Sequence, residues 1–139
     1  MFRKLMGVVA FCVLLVAACG GGGDTLEDTS WQVEMLRGAD GSMAAPLADT
    51  VLTADFTADE IAGEAGCNSY FGTYTTDGDS FSTGPLGSTQ RFCDPQAVMD
   101  QEVAYLAALS EADRWNRDGD QLELFQGDET VVQFASADS

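Results

Sequence analysis

The amino-acid sequence predicts a mainly β (α+β) domain in which a small antiparallel, barrel-like curled sheet is covered by one helix at about residues 95–111. Three observations support this prediction. Several short segments alternate apolar and polar residues, which is the period of a half-buried strand. Tight Asp-Gly turns at Asp77-Gly78 and Asp118-Gly119 indicate hairpins between strands. A single segment late in the chain combines helical spacing with good helix formers.

The strands before the helix follow from alternation and composition. Residues from Trp31 to Met35 alternate apolar and polar side chains, so they form the first predicted strand. Leu52, Ala54 and Phe56 share one face of the second. The remaining predictions in this half are a loop at 38–46, a turn at 59–60 and strands at 61–64, 69–76 and 86–92.

The helix has a predicted start and an apolar spacing. Asp94 is placed to cap it and Pro95 suits its first position. Met99, Val103 and Leu106 recur at helical spacing, which predicts the apolar face. The helix is expected to end near residue 111, and a closing meander is expected at 114–116, 122–125 and 131–134.

The N-terminus has the pattern of an export signal. Arg3 and Lys4 precede an apolar run, residues 5–18, which at 14 residues is shorter than the roughly 20 needed to span a bilayer. The run ends in Val16-Ala17-Ala18-Cys19, which resembles the lipobox of bacterial lipoproteins. That resemblance implies a signal peptide at 1–18 and lipidation of Cys19. The alternative is a plain secretory signal, cleaved so that Cys19 remains an ordinary thiol.

The predicted domain organisation follows from this anchor. Residues 19–27 are expected to be the lipidated cysteine and a Gly-rich tether, because Gly20–Gly23 cannot pack a core. Fully extended, the tether reaches about 30 Å. The domain is expected at 28–135 and a C-terminal tail at 136–139. The protein should lie in the cell envelope, on the outer side of the cytoplasmic membrane or at the outer membrane. Position 20 is Gly rather than Asp, which in a bacterium with two membranes would, by resemblance to such lipoproteins, imply outer-membrane sorting.

The charge of the chain restricts its partners and its chemistry. The sequence has six basic and 23 acidic residues, which gives a net charge of −17, and it has no histidine. Removal of residues 1–18 would leave four arginines and a net charge of about −19. Such a surface repels nucleic acid and anionic headgroups. Without histidine the commonest general base is absent. The charge indicates either a solubility function or a basic protein partner.

The cysteines predict a disulfide rather than a metal site. One of the four lies in the predicted signal peptide and Cys19 is assigned to lipid, which leaves Cys67 and Cys93. In an oxidising compartment this pair predicts a disulfide, which would stabilise the fold by about 3.5 kcal/mol. A two-cysteine metal site without histidine is the weaker alternative. The acidic pairs within 77–79 and 118–120 lack the full ligand spacing of a calcium loop, so hairpin turns explain them. No metal or cofactor is predicted.

Two segments together identify a family. The run Gly66-Cys67-Asn68-Ser69-Tyr70-Phe71-Gly72-Thr73-Tyr74 is followed by Ser88 to Cys93 and by Glu102. This pattern resembles the META domain family, which includes the bacterial heat-shock protein HslJ, and the resemblance runs from Thr29 to Phe134. It implies a small lipocalin-like barrel with a helix, found in envelope lipoproteins linked to stress or antibiotic tolerance, without an agreed enzymatic chemistry. Family members often carry Met-Ala where this chain has Arg91-Phe92.

The motif residues allow a structural and a functional interpretation. In the structural one, Gly66 and Gly72 give backbone freedom around a bend, Asn68 bonds its local backbone, and Tyr70 and Tyr74 pack from one strand face. In the functional one, Asn68, Tyr70 and Tyr74 form a polar-aromatic recognition face. The positions of this sequence that match the family motif are Gly66, Asn68, Tyr70, Gly72, Tyr74, Thr89 and Glu102.

Three functions remain open from the sequence. The first is a non-enzymatic envelope lipoprotein acting in stress or antibiotic tolerance through structural or protein contacts. The second is an inhibitor or trap of a basic protein such as lysozyme. The third is a small-ligand binder, which would need an apolar cavity inside the barrel. No set of residues forms a recognisable active site, so no catalytic residues are predicted.

Overall fold

The computed structural model describes residues 25–137. The predicted signal peptide, Cys19 and Gly20–Gly23 lie outside the described residues. Within 25–137 no helix is long and apolar enough to cross a membrane. The elements are β1 (Thr29–Arg37), β2 (Met43–Ala44), β3 (Thr53–Phe56), β4 (Glu60–Glu64), β5 (Ser69–Asp77), β6 (Ser80–Thr83), β7 (Gly87–Ser88), α1 (Gln96–Glu111), β8 (Arg114–Asp118), β9 (Gln121–Gln126) and β10 (Glu129–Ser136).

Eight antiparallel strands close into a barrel. Their order is β1-β3-β4-β5-β6-β8-β9-β10, and β10 pairs back onto β1 with Trp31 opposite Ser136 and Leu36 opposite Val132. The two-residue strands lie outside this ring, β2 against β1 and β7 against β5. The predicted mainly β fold with one helix is confirmed. Closure also removes the free sheet edges that an open curled sheet would expose.

The interior of the barrel is filled by side chains. An eight-stranded barrel leaves an interior just wide enough for them. The rings of Phe56 and Tyr74 pack edge to face with centroids 4.8 Å apart, and Tyr74 stacks on Phe81. The largest fully buried side chains are those of Trp31, Tyr70, Tyr105, Phe56, Phe134, Leu26, Leu52, Ile61, Leu109, Leu122, Leu124 and Val131. A packed interior of this kind argues against a small-ligand site inside the barrel.

The helix covers one end of the barrel. It contacts β1, β6 and β10, and the Tyr105 hydroxyl donates to the carbonyl oxygen of Thr53 on β3 at 2.8 Å. Because these strands come from different parts of the ring, α1 must cross its opening. We call this opening, where β1 ends at Arg37, the helix end. The opposite opening, where β1 begins at Thr29, is the tether end.

The packed domain extends beyond the predicted boundaries on both sides. Leu26, assigned to the tether from the sequence, is 2% exposed and belongs to the core. The Arg117 guanidinium donates to the carbonyl oxygen of Thr25 at 2.9 Å. At the other terminus the Ala137 amide donates to the Ser30 carbonyl at 2.9 Å. The core, the disulfide and the closed sheet therefore all lie within 25–137, so this part of the chain is a self-contained folding unit.

The helix differs from its prediction in its start and in its buried face. It begins at Gln96, and the N-cap position is Pro95, whose side chain makes no capping hydrogen bond. The prediction that Asp94 caps the helix was therefore wrong. The predicted apolar face was wrong at Val103, which is 68% exposed, while Met99 and Leu106 are half-buried. The buried residues of the helix are Val98, Glu102, Tyr105, Ala108 and Leu109.

Two loop predictions also differ from the structure. Only Gly87–Ser88 of the predicted strand at 86–92 pairs as a strand, because the following residues bond to a side chain, as described below. The predicted loop at 38–46 contains the short strand Met43–Ala44. The two Asp-Gly hairpins are confirmed, with Gly78 and Gly119 at a φ of +59°.

Candidate functional site

The family motif forms one cluster of hydrogen bonds between the barrel and the helix, which we call the motif cluster (Asn68, Thr89, Arg91 and Glu102). Asn68 lies in the bend between β4 and β5, and Glu102 on the buried face of α1. One carboxylate oxygen of Glu102 accepts the backbone N–H of Asn68 at 2.7 Å. The other accepts the Asn68 side-chain Nδ2 at 2.9 Å. These two bonds attach the helix directly to the bend.

The Asn68 amide also holds the segment before the helix. Its Oδ1 accepts the Arg91 N–H at 2.6 Å and the Thr89 hydroxyl at 3.0 Å, while its Nδ2 donates to the Arg91 carbonyl at 3.0 Å. The Thr89 hydroxyl accepts the N–H of Ser69 at 3.2 Å. The Thr89 N–H still donates to the Ser69 carbonyl of β5 at 3.0 Å, but at Arg91 the Asn68 side chain makes both bonds that a neighbouring strand would make, which explains why strand pairing ends there.

The Cys67–Cys93 disulfide links the bend that carries Asn68 to the segment that carries Arg91. Its S–S distance is 2.03 Å and its Cα atoms are 5.9 Å apart, so the predicted bond is confirmed. It joins the bend to the residue two places before Pro95. At the position where this chain departs from the family pattern, the Arg91 guanidinium donates to the Cys67 carbonyl at 2.6 Å, while Phe92 is 67% exposed.

The two motif glycines have different functions. Gly66 has a φ of +98°, which only glycine adopts without strain, so it permits the bend as predicted. Gly72 lies within β5 and needs no unusual φ. A Cβ there would be 2.7 Å from Leu86 Cδ2 and 3.1 Å from the Pro85 carbonyl oxygen. Gly72 is therefore required for close packing, and the predicted need for backbone freedom at this position was wrong.

The motif tyrosines pack inward and bond to backbone. The Tyr70 and Tyr105 hydroxyls both donate to the Thr53 carbonyl, at 2.6 and 2.8 Å, and their rings meet edge to face. Burial raises the pKa of Tyr70 and Tyr105 above the ordinary value near 10. Tyr74 donates to the Thr57 carbonyl, and burial raises its pKa as well. All three hydroxyls are thereby kept neutral.

The geometry favours the structural interpretation of the motif. Asn68, Tyr70 and Tyr74 are buried rather than presented as a recognition face. Within residues 25–137, every buried side-chain nitrogen and oxygen has a hydrogen-bond partner. In the same residues no three His, Cys, Asp or Glu side chains are grouped to hold a metal ion. The cluster orders the bend, the disulfide segment and the helix relative to one another.

The contacts of Glu102 were not predicted. The sequence places Glu102 among the family positions without assigning it a partner, yet it is 6% exposed and bonds Asn68. The signal was available in the spacing. Val98, Tyr105 and Leu109 lie four before, three after and seven after Glu102, so the carboxylate interrupts an apolar stripe. A buried carboxylate needs compensating donors, and Asn68 supplies two.

All four arginines of the described residues are engaged within the fold. Arg37 pairs with Glu111 at 2.9 Å and with Glu129 at 3.3 Å, the two arginine–carboxylate ion pairs found in 25–137. Arg114 lies over the Phe125 ring. The remaining two are Arg91, bonded to Cys67, and Arg117, bonded to Thr25 and placed over Trp31. Most surface carboxylates therefore have no arginine beside them.

Comparisons with known proteins agree with this fold and motif. A structure solved by NMR for a protein from Burkholderia xenovorans is similar, with a TM-score of 0.69, 30% identity, and coverage of 82% of this chain and 85% of that one. A DUF4847 family protein from Bacteroides vulgatus shares the fold, with a TM-score of 0.55, 18% identity, and coverage of 79% and 93%. Among curated proteins, none matches the chain in sequence. The sequence model of the META domain matches residues 24–139. Because that match covers most of the chain, the protein belongs to the META domain family.

Proposed function

We propose that this protein is a lipid-anchored envelope protein whose META domain acts through protein contacts, without catalysis, in tolerance of envelope stress or antibiotics. The observation that carries the proposal is the motif cluster. Its hydrogen-bond donors and acceptors are paired with one another inside the fold. The family motif therefore stabilises the domain and leaves no reactive group exposed to a substrate. The absence of histidine from the sequence agrees with this.

The anchor is proposed from the N-terminal sequence and fits the position of the first described residues. Thr25 and Leu26 pack at the tether end of the barrel. From Cys19 to Thr25 a fully extended chain spans about 20 Å. This is shorter than the reach expected from sequence, since residues 25–27 belong to the domain. A lipid on Cys19 would hold the tether end near the membrane and leave the helix end facing away from it.

The experiment compares the full-length protein with its Cys19→Ala variant in a deletion strain. Membrane fractionation and mass spectrometry of the N-terminal peptide report lipidation, and survival under envelope stress reports function. We expect wild type to carry acyl chains and to restore tolerance. Cys19→Ala should be released from the membrane and should restore it poorly. An unmodified Cys19, or a released variant with full tolerance, contradicts the proposal.

A second candidate function is capture of a basic protein such as lysozyme. The observation that favours it is the arrangement of charge, because all four described arginines are engaged within the fold and most surface carboxylates have no arginine beside them. Such a surface accelerates encounter with a cationic partner. The test is inhibition of lysozyme by the disulfide-intact domain at low and high salt. Absence of salt-sensitive binding would remove this candidate.

A further inference from the structure

A groove runs along the solvent-facing side of α1. One wall is the helix face that carries Asp100, Val103, Ala107 and Glu111. The other is the chain between β1 and β3, from Arg37 to Leu47. Two adjoining cavities of 410 and 260 Å³ form the groove, and they share residues of both walls, Gly38 and Ala39 on one side and Asp100 and Ala104 on the other. Helical rise gives it a length of about 21 Å between residues 97 and 111.

The groove is mainly apolar where the helix faces β2, mixed polar and apolar toward the end of β1, and acidic at its rim. Its walls are mainly glycine and alanine, with Val103 and Leu47 exposed beside them. Asp100 lies in both cavities, while Glu111 and Glu129 share the single cation Arg37 at one end. Three carboxylates and one guanidinium leave a negative rim. Val103 is therefore an exposed apolar residue within a negatively charged surface, and the motif cluster makes no use of it.

The position of the groove suits contact with other proteins. It lies at the helix end, whereas the described chain begins at the tether end. β1, about 27 Å long, runs between these ends, and the tilt of strands in a barrel leaves the ends about 20 Å apart along the barrel axis. A tether from Cys19 would therefore leave the groove open on the far side of the domain. The wall between β1 and β3 is held to the helix by Gln101, whose side chain bonds the Leu47 N–H and the Thr50 hydroxyl.

We infer that this groove binds a cationic segment of a partner protein, one in which lysine or arginine alternates with aliphatic residues. The inference rests on the proposed function in protein contacts and adds the surface and the partner chemistry. Aliphatic side chains fit the space that the alanines leave, and the basic groups meet Asp100 and the carboxylates at the end of the helix. A second copy of this chain fits poorly, since it would bring another acidic surface against the rim.

The test uses the disulfide-intact domain, residues 24–139, and a labelled hexapeptide in which lysine alternates with leucine and valine. Matched peptides replace the aliphatic residues by serine or the lysines by glutamate. Fluorescence anisotropy measures affinity at two salt concentrations. The variants are Ala107→Arg, which fills the groove, and Val103→Ser. The controls are Val51→Ser, an exposed valine outside the groove lining, and Asp59→Asn, an exposed charge outside it.

We expect the aliphatic cationic peptide to bind with a Kd on the order of tens of micromolar, the affinity expected of a short peptide in a small, open groove. Ala107→Arg should weaken binding at least about tenfold and Val103→Ser about threefold, while the controls stay within about twofold. Equal binding of the serine peptide, or unchanged affinity in Ala107→Arg, overturns the inference. So does a wild-type dimer in sedimentation that Ala107→Arg dissociates, because a second copy would then fill the groove. None of these results depends on lipidation, so they are independent of the Cys19 experiment.

Discussion

Substitution of Glu102 by glutamine tests whether the motif cluster holds the helix to the barrel. The two side chains have the same shape, but glutamine has one acceptor oxygen where Glu102 has two. In wild type both oxygens accept N–H groups of Asn68, at 2.7 and 2.9 Å. The new NH2 group would face one of these N–H donors at a buried position.

The magnitude follows from what is lost at each oxygen. A hydrogen bond to a charged acceptor contributes about 1.5–3 kcal/mol, and an unsatisfied buried donor costs about 1–3 kcal/mol. One of the two bonds becomes a neutral bond and the other becomes a contact between donors. We therefore expect Glu102→Gln to lower the free energy of unfolding by about 2–3 kcal/mol. For a domain of this size that corresponds to a decrease in Tm of about 8–12 °C.

The assay is thermal and urea unfolding of the disulfide-intact domain, with Glu111→Gln as the matched control. Glu111 lies on the same helix but is exposed and pairs only with Arg37. Exposed pairs of this kind contribute about 0–1 kcal/mol, so the control should change Tm by no more than about 4 °C. A Glu102→Gln variant as stable as Glu111→Gln would show that the bonds between Glu102 and Asn68 do not hold the helix to the barrel.

Three further predictions concern the bend, the disulfide and the tyrosines. Gly66→Ala should lower the free energy of unfolding by about 1–2 kcal/mol more than Gly78→Ala. Both glycines have positive φ, but only Gly66 has a neighbour near the new Cβ. Equal losses of stability in urea unfolding would contradict this. Loss of the Cys67–Cys93 disulfide in a double serine variant should cost about 3.5 kcal/mol, and a midpoint unchanged in urea would argue against that estimate. The three tyrosines have a raised pKa in the fold, so the neutral forms stabilise it fully below pH about 10, and this stability is lost as pH rises above that value. Tyrosinate absorbance of the native domain should rise only as circular dichroism is lost, whereas the guanidinium-unfolded chain should titrate near pH 10; titration at that pH with the fold intact would contradict the burial.

Much of the fold could be predicted because its signals are local. Alternation between Trp31 and Met35 depends only on one strand having a buried face. Trp31 and Val33 are buried here, and Met35 is half-buried beyond a bulge in the pairing of β1 with β10. The Asp-Gly pairs mark turns for which glycine supplies the positive φ. Closure of the barrel was harder to predict from the sequence, because the pairing of β1 with β10 joins residues about a hundred positions apart. No local pattern reports such a pairing.

The errors arose where tertiary hydrogen bonds replace local preference. The buried helix face includes Glu102, which a search for apolar periodicity passes over, while the apolar Val103 lies in solvent. The segment after β7 was predicted as a strand from its sequence, but at Arg91 Asn68 supplies the partner bonds through its side chain. Gly72 is needed for contact with Leu86, a residue from a different part of the chain. Each case depends on a neighbour that is distant in sequence.

The most direct test of the account is to map the peptide contact by NMR, using the labelled domain and the aliphatic cationic hexapeptide. We infer that the motif is structural and that recognition occurs on the outer side of α1. We therefore expect chemical-shift changes centred on Gly38, Val103 and Ala107, with the amides of Asn68, Tyr70 and Tyr74 unchanged. Shift changes centred on residues 66–74 instead would show that the motif itself is the recognition site and would contradict the account.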